Sequence, residues 1–127
     1  MLKITLAAAT LALAAGTAAA DVNIVDNNKT ITVDCAKHKL VNIAGNKATV
    51  TLKGTCEGVN ISGNKATIKG SVLIANVSGN DNTLTLDGVD SVLVSGNENA
   101  VTYKKAVKDK STKVMDSGTN NKVSQTK

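Results

Sequence analysis

One nine-residue phrase recurs through this chain and limits its fold more than any other feature. Its clearest form is Ser78-Gly79-Asn80-Asp81-Asn82-Thr83-Leu84-Thr85-Leu86, and residues 95–103 repeat it as Ser-Gly-Asn-Glu-Asn-Ala-Val-Thr-Tyr. Earlier copies occupy residues 25–33, 44–52 and 62–70, and a decayed copy occupies 117–125. Successive copies start 19, 18, 16, 17 and 22 residues apart. A nearly fixed spacing of this size is the mark of a chain that stacks one small unit on the next.

Each unit reads as two short strands. One precedes the Gly-Asn pair: Val22-x-Ile24, Val41-x-Ile43, Val59-x-Ile61, Ala75-x-Val77, Val92-x-Val94. The other follows it: Ile31-x-Val33, Val50-x-Leu52, Ile68-x-Gly70, Leu84-x-Leu86, Val101-x-Tyr103. Apolar and polar residues alternate, so each strand turns one face inward and one outward. A helical stripe is missing from residues 21–127, and β-branched residues dominate there.

Hairpins and a coil both use short alternating strands, but only a coil stacks equivalent positions directly. The sequence carries such columns. Asn recurs at Asn27, Asn46, Asn64, Asn80 and Asn97, and Gly at Gly45, Gly63, Gly79, Gly96 and Gly118. The expected fold is therefore all-β: a small single-domain parallel β-solenoid of five to six short coils. At about 4.8 Å per coil the rod is roughly 30 Å long. The Gly-Asn pairs are its corners. Gly is expected to supply the positive φ of a tight turn, and Asn to bond from one coil to the next as stacked amides do.

Composition agrees with a narrow core. The chain has no Pro, Trp or Phe, and its one aromatic is Tyr103. A wide core normally draws on several aromatics for buried area. Here Val, Ile, Leu and Ala must fill it, with Tyr103 as a terminal filler. The lone His38 reads as a loop residue.

Residues 1–20 read as a signal peptide. Lys3 gives a positive start, residues 4–15 are apolar or small, and Ala18-Ala19-Ala20 offers a cleavage site before Asp21. The run is shorter and more Ala-rich than the roughly 20 strongly apolar residues of a membrane span. The expectation is an exported protein, periplasmic or secreted, without a membrane span after cleavage. Residues 21–127 form the solenoid domain, with residues 104–127 as a Lys-rich last coil or cap. Cys35 and Cys56 both lie in the exported part, and an even number in an oxidising compartment reads as one disulfide. Closing a loop of about 20 residues contributes roughly 3 kcal/mol.

Charge is uneven. Residues 21–102 carry seven Lys and eight Asp or Glu, whereas 103–127 carry seven Lys and two Asp. The chain contains no Arg. Arg is the usual reader of phosphates and base edges, so nucleic acid is not an expected partner.

The string of V-x-V-S-G-N-x-N-x-V-T copies behind a signal peptide resembles the small exported bacterial proteins grouped as domain of unknown function family 3060. A Cys ahead of each of the first two full copies belongs to the same resemblance. It covers most of residues 30–103. It implies export and a solenoid, and brings no activity and no site residues.

Four kinds of site were weighed. Glycan cleavage, as in larger β-helices, needs carboxylates converging in a groove. Its candidates are Asp81, Asp87, Asp90 and Glu98. Asp81 and Glu98 share a column with Lys47 and Lys65, which reads as a solvated stripe. Calcium fits poorly: Gly79-Asn80-Asp81 resembles a β-roll turn, but that motif repeats every nine residues with an Asp in every copy. No metal or cofactor is expected. Thr30, Thr32, Thr49, Thr51, Thr83, Thr85 and Thr102 would face outward together, resembling the arrays of ice-binding proteins, although Lys69, Ala100 and Lys122 interrupt them. Finally, Lys104, Lys105, Lys108, Lys110 and Lys113 could dock on an anionic envelope surface, or merely cap the rod. The expectation is a non-catalytic structural or binding protein of the envelope, with a glycan-active enzyme or an ice-binding protein as the alternatives.

Overall fold

The computed structural model describes residues 21–126. The expected signal peptide lies outside the described residues. These contain nine strands and no helix: β1 (Val22–Ile24), β2 (Thr30–Asp34), β3 (Leu40–Ile43), β4 (Thr49–Ile61), β5 (Thr67–Val77), β6 (Thr83–Val94), β7 (Ala100–Lys105), β8 (Lys113–Asp116) and β9 (Lys122–Gln125). Every pairing is parallel.

The register follows the repeat. On one face Val22, Val41, Val59, Ala75, Val92 and Val114 stand over one another. On the next, Ile31, Val50, Ile68, Leu84, Val101 and Val123 do the same. The chain is thus a parallel β-solenoid of about six turns. Its core is a stack of single aliphatic residues, with Val41, Val50, Ile68, Leu84, Val92 and Val101 fully buried. Tyr103 closes one column, buried above Leu86.

The coil has a third side that a two-strand reading does not separate. β4, β5 and β6 bend and continue, so that Cys56, Val72 and Val89 stack inward. Each coil turns only one apolar residue inward there, too few to show alternation. The bend before this side absorbs the unequal coil lengths. Pairing of β4 with β5 stops at Thr51↔Lys69 and resumes at Thr55↔Ser71, and β5 with β6 shifts after Gly70. The Gly-Asn corner keeps its register, and the opposite bend varies.

The corner itself corrects one expectation. None of Gly45, Gly63, Gly79, Gly96 and Gly118 has positive φ. The left-handed residue is two positions later: Lys47 (φ 60°), Lys65 (59°), Asp81 (58°) and Glu98 (56°). Glycine is required for closeness instead. A Cβ on Gly63 would run into the Gly45 carbonyl, one on Gly79 into the Gly63 carbonyl, and one on Gly96 into the Gly79 carbonyl. The corners stack backbone on backbone.

Asn satisfies the polar groups that this stacking would strand. The N–H of Asn46 donates to Asn27 Oδ1 at 2.9 Å, Asn64 to Asn46 at 3.0 Å, Asn80 to Asn64 at 2.9 Å and Asn97 to Asn80 at 3.1 Å. The left-handed residue turns its own N–H the other way, so Lys47 N donates to the Asn64 carbonyl and Lys65 N to the Asn80 carbonyl. Cys35 and Cys56, both buried, form a disulfide with Cα atoms 4.8 Å apart. It ties the end of the first coil to the second.

Candidate functional site

The longest departure from the repeat is the segment between β7 and β8, residues 106–112, which lengthens the last spacing to 22 residues. It carries Lys108 and Lys110. Lys104 and Lys105 end β7 and Lys113 starts β8, and all five are exposed. Among the described residues only Lys104 of the five forms a salt bridge, with Asp87 at 3.5 Å. Both members of that pair are more than half exposed, so it contributes little.

The segment is clamped rather than loose. Asp90 Oδ1 accepts the backbone N–H groups of Val107 at 2.6 Å, Lys108 at 3.0 Å and Asp109 at 3.3 Å. Its Oδ2 accepts Lys108 N at 3.2 Å. Thr112 Oγ1 donates to the Val89 carbonyl at 2.6 Å. Val107 folds back over Gly88, where a Cβ would come within 2.7 Å of it. Burial pushes the Asp90 carboxyl up, but the N–H donors from Lys108, Val107 and Asp109, with the Lys108 charge, hold it below its ordinary value. A carboxylate that the sequence offers as a catalytic candidate is therefore the anchor of the basic loop.

A groove of about 510 Å³ opens beside this loop, lined by Lys39, Thr55, Glu57, Leu73, Ile74, Val107 and Lys108. It lies over residues 62–77, the shortest coil. Leu73 and Ile74 form its apolar floor, and Ile74 is 48% exposed. Lys39 and Glu57 pair at 3.6 Å on the rim. Leu40 leans over Gly58 on the same side. Sequence reasoning missed this groove. Its only signal was the departure of two spacings, 16 and 22 residues, from the others. A second, smaller groove of about 220 Å³ runs along Asn42, Asn60 and Asn76.

The other candidate acids lie outside both grooves, with Asp81 and Glu98 stacked at equivalent positions on adjacent coils. Asp81 and Glu98 sit on the exposed corner, and Asp87 faces Lys104. None of the four candidate acids lines either groove. The outward Thr residues do share a face. Thr30, Thr49, Thr67 and Thr83 stand in one column, and Thr32, Thr51, Lys69, Thr85 and Thr102 in the next. Thr67 extends the array, and Lys69 interrupts it.

A further column, also missed, is buried. Asn82 and Asn99 occupy the place of Ala48 and Ala66 in earlier coils. Asn82 Oδ1 accepts Ala66 N at 2.8 Å, and its Nδ2 donates to the Gly63 carbonyl at 3.1 Å. Asn99 repeats this with Asn82 N at 2.9 Å and the Gly79 carbonyl at 2.9 Å. Asn121 repeats it with Asn99 N and the Gly96 carbonyl.

Among the described residues no group of three or more His, Cys, Asp and Glu side chains could hold a metal ion. No helix among them is long and apolar enough to cross a membrane.

A clamped basic loop on a disulfide-tied rod defines the class: a small parallel β-solenoid whose variable side carries its distinctive chemistry. The chain belongs to the family described as Protein of unknown function (DUF3060), whose profile matches residues 43–73 and 62–120. Two overlapping matches are what an internal repeat produces. No curated protein and no solved structure matches the chain.

Proposed function

We propose that this chain is an exported, non-catalytic binding protein that docks on an anionic surface of the cell envelope through Lys104, Lys105, Lys108, Lys110 and Lys113. The observation that carries this reading is the clamp. Asp90 and Thr112 fix the backbone beneath the cations, so an anionic partner does not have to order the loop first. Each Lys held near an anionic lipid surface contributes about 1 kcal/mol. The apolar leader and the buried disulfide support export, and the position of the four candidate acids outside both grooves supports a binding role over a catalytic one.

The test is co-sedimentation of residues 21–127 with the producer's envelope fraction across a salt series. Replacing Lys104, Lys105, Lys108, Lys110 and Lys113 by Gln should abolish binding at low salt. Equal sedimentation of both proteins would refute the docking role.

A second reading rests on the paired Thr columns, which hold register over several coils. It makes that face a template for an ordered surface such as ice. Thermal hysteresis in solutions of the protein, lost on Thr51→Lys, would favour it.

A further inference from the structure

We infer that the groove beside the basic loop takes the acyl chain of an anionic lipid whose phosphate rests on the Lys108 end. This deepens the envelope-docking reading and rests on it.

The lining of the groove is amphipathic in a directed way. Its floor is apolar: Leu73, Ile74 and Val107, with Ile74 and Val107 both more than a third exposed. Its lining holds two cations, Lys39 and Lys108, and they differ. Lys39 is held in a salt bridge with Glu57, whereas the Lys108 side chain forms none among the described residues, acts on Asp90 through its charge alone, and stands on the clamped loop near Lys105 and Lys110 in the chain. An anionic head is therefore drawn to the Lys108 end. A soluble polyanion would use the lysines and leave the apolar floor wet. An uncharged apolar ligand would use the floor and leave the lysines idle. A phosphate-headed lipid uses both. At about 510 Å³ the groove is in the size range of small-ligand sites.

Val107 and Lys108 join the two parts. These adjacent residues are both held by Asp90, and both line the groove. Val107 is held over Gly88, and the groove keeps that wall only while the clamp is closed.

The probe is monomeric lysophosphatidylglycerol, used below its micelle threshold and in a series of acyl lengths. The expected result is saturable binding that tightens with chain length, by up to about fourfold per added CH2 until the groove is full. The methyl signals of Leu73, Ile74 and Val107 should shift together on titration. Ile74→Lys blocks the floor while adding a positive charge, so it should abolish this binding and leave low-salt docking on envelope fractions intact. Ile74→Ser, a milder change at a half-exposed site, should weaken it in the same direction. Replacing Lys104, Lys105 and Lys110 by Gln should do the reverse, losing docking and retaining chain-length dependence. Affinity independent of acyl length, methyl shifts elsewhere, or full binding by Ile74→Lys would overturn the groove site. Unchanged docking by the Lys→Gln protein would instead overturn the envelope reading alone.

Discussion

The N-terminal coils stack their amide side chains in water, whereas the C-terminal coils bury a second set. On the outward face of the first coils, Asn42 Nδ2 donates to Asn23 Oδ1 at 3.0 Å, Asn60 to Asn42 at 2.9 Å and Asn76 to Asn60 at 2.9 Å. Leu93 and Met115 then take over that column. In the later coils Asn82 and Asn99 are instead buried, at 0% and 1% exposure, where earlier coils have Ala. Water can replace a partner lost from the exposed ladder. It cannot reach the buried one, where a missing partner strands backbone groups. The ends are also closed differently. A disulfide ties the first two coils, and the Asp90 clamp holds the loop before the last.

The strongest way to break this comparison is Asn99→Ala. It strands the Asn82 N–H and the Gly79 carbonyl, both buried in the corner stack. At about 1–3 kcal/mol per stranded group, unfolding stability in urea should fall by about 4 kcal/mol. Asn60→Ala, in the exposed ladder, should cost less than about 1 kcal/mol in the same assay. Equal losses would erase the distinction between the two ladders.

Reduction of Cys35–Cys56 should come next, costing about 3 kcal/mol. Hydrogen exchange should place the loosening in β1 and β2 and leave β6 and β7 protected. Loosening at the clamped loop would contradict the division into two separately closed ends.

The clamp sharpens the comparison through pH. The Asp90 carboxyl is held below its ordinary value, so it favours the folded loop fully above the ordinary carboxylate range. That contribution disappears as pH falls through the lower, folded-state value. Amide signals of Val107, Lys108 and Asp109 should therefore titrate together, below the ordinary carboxylate range. Those of the N-terminal coils should not follow. A midpoint above the ordinary range would mean that burial outweighs the donors.

The smallest effect concerns the corners. Lys65→Gly removes a left-handed strain of about 1 kcal/mol. Glycine's greater freedom when unfolded offsets part of that. A stability gain below about 1 kcal/mol is expected, while Gly63→Ala at the same corner should be strongly destabilising. A benign Gly63→Ala would contradict the close backbone stacking.

Most of the scaffold was legible because a solenoid writes its register as columns of like residues. Val41 over Val59 and Val50 over Ile68 follow directly from aligning the repeats. The third side was not legible, since Cys56, Val72 and Val89 are each the single inward residue of their coil there. The role of the corner glycines was misread because Lys47, Lys65 and Glu98 do not announce positive φ, although Asn28, Asp81 and Asn120 at the same position are residues that tolerate it. The basic loop was visible as a Lys-rich insertion. Its clamp was not, because Asp90 and Val107 meet only when the insertion folds back over Gly88. The groove was hidden for the same reason: a short coil and a long loop produce it together, and neither does so alone.

The proposed docking depends on the clamp that holds the lysines in place. The direct measurement is the affinity of Asp90→Ala for anionic vesicles, beside wild type, at fixed low salt. The substitution keeps every Lys and removes a negative charge, so charge alone predicts tighter binding. The clamp account predicts weaker binding, with disordered amide signals at Val107 and Lys108. Equal or tighter binding with a disordered loop would contradict it.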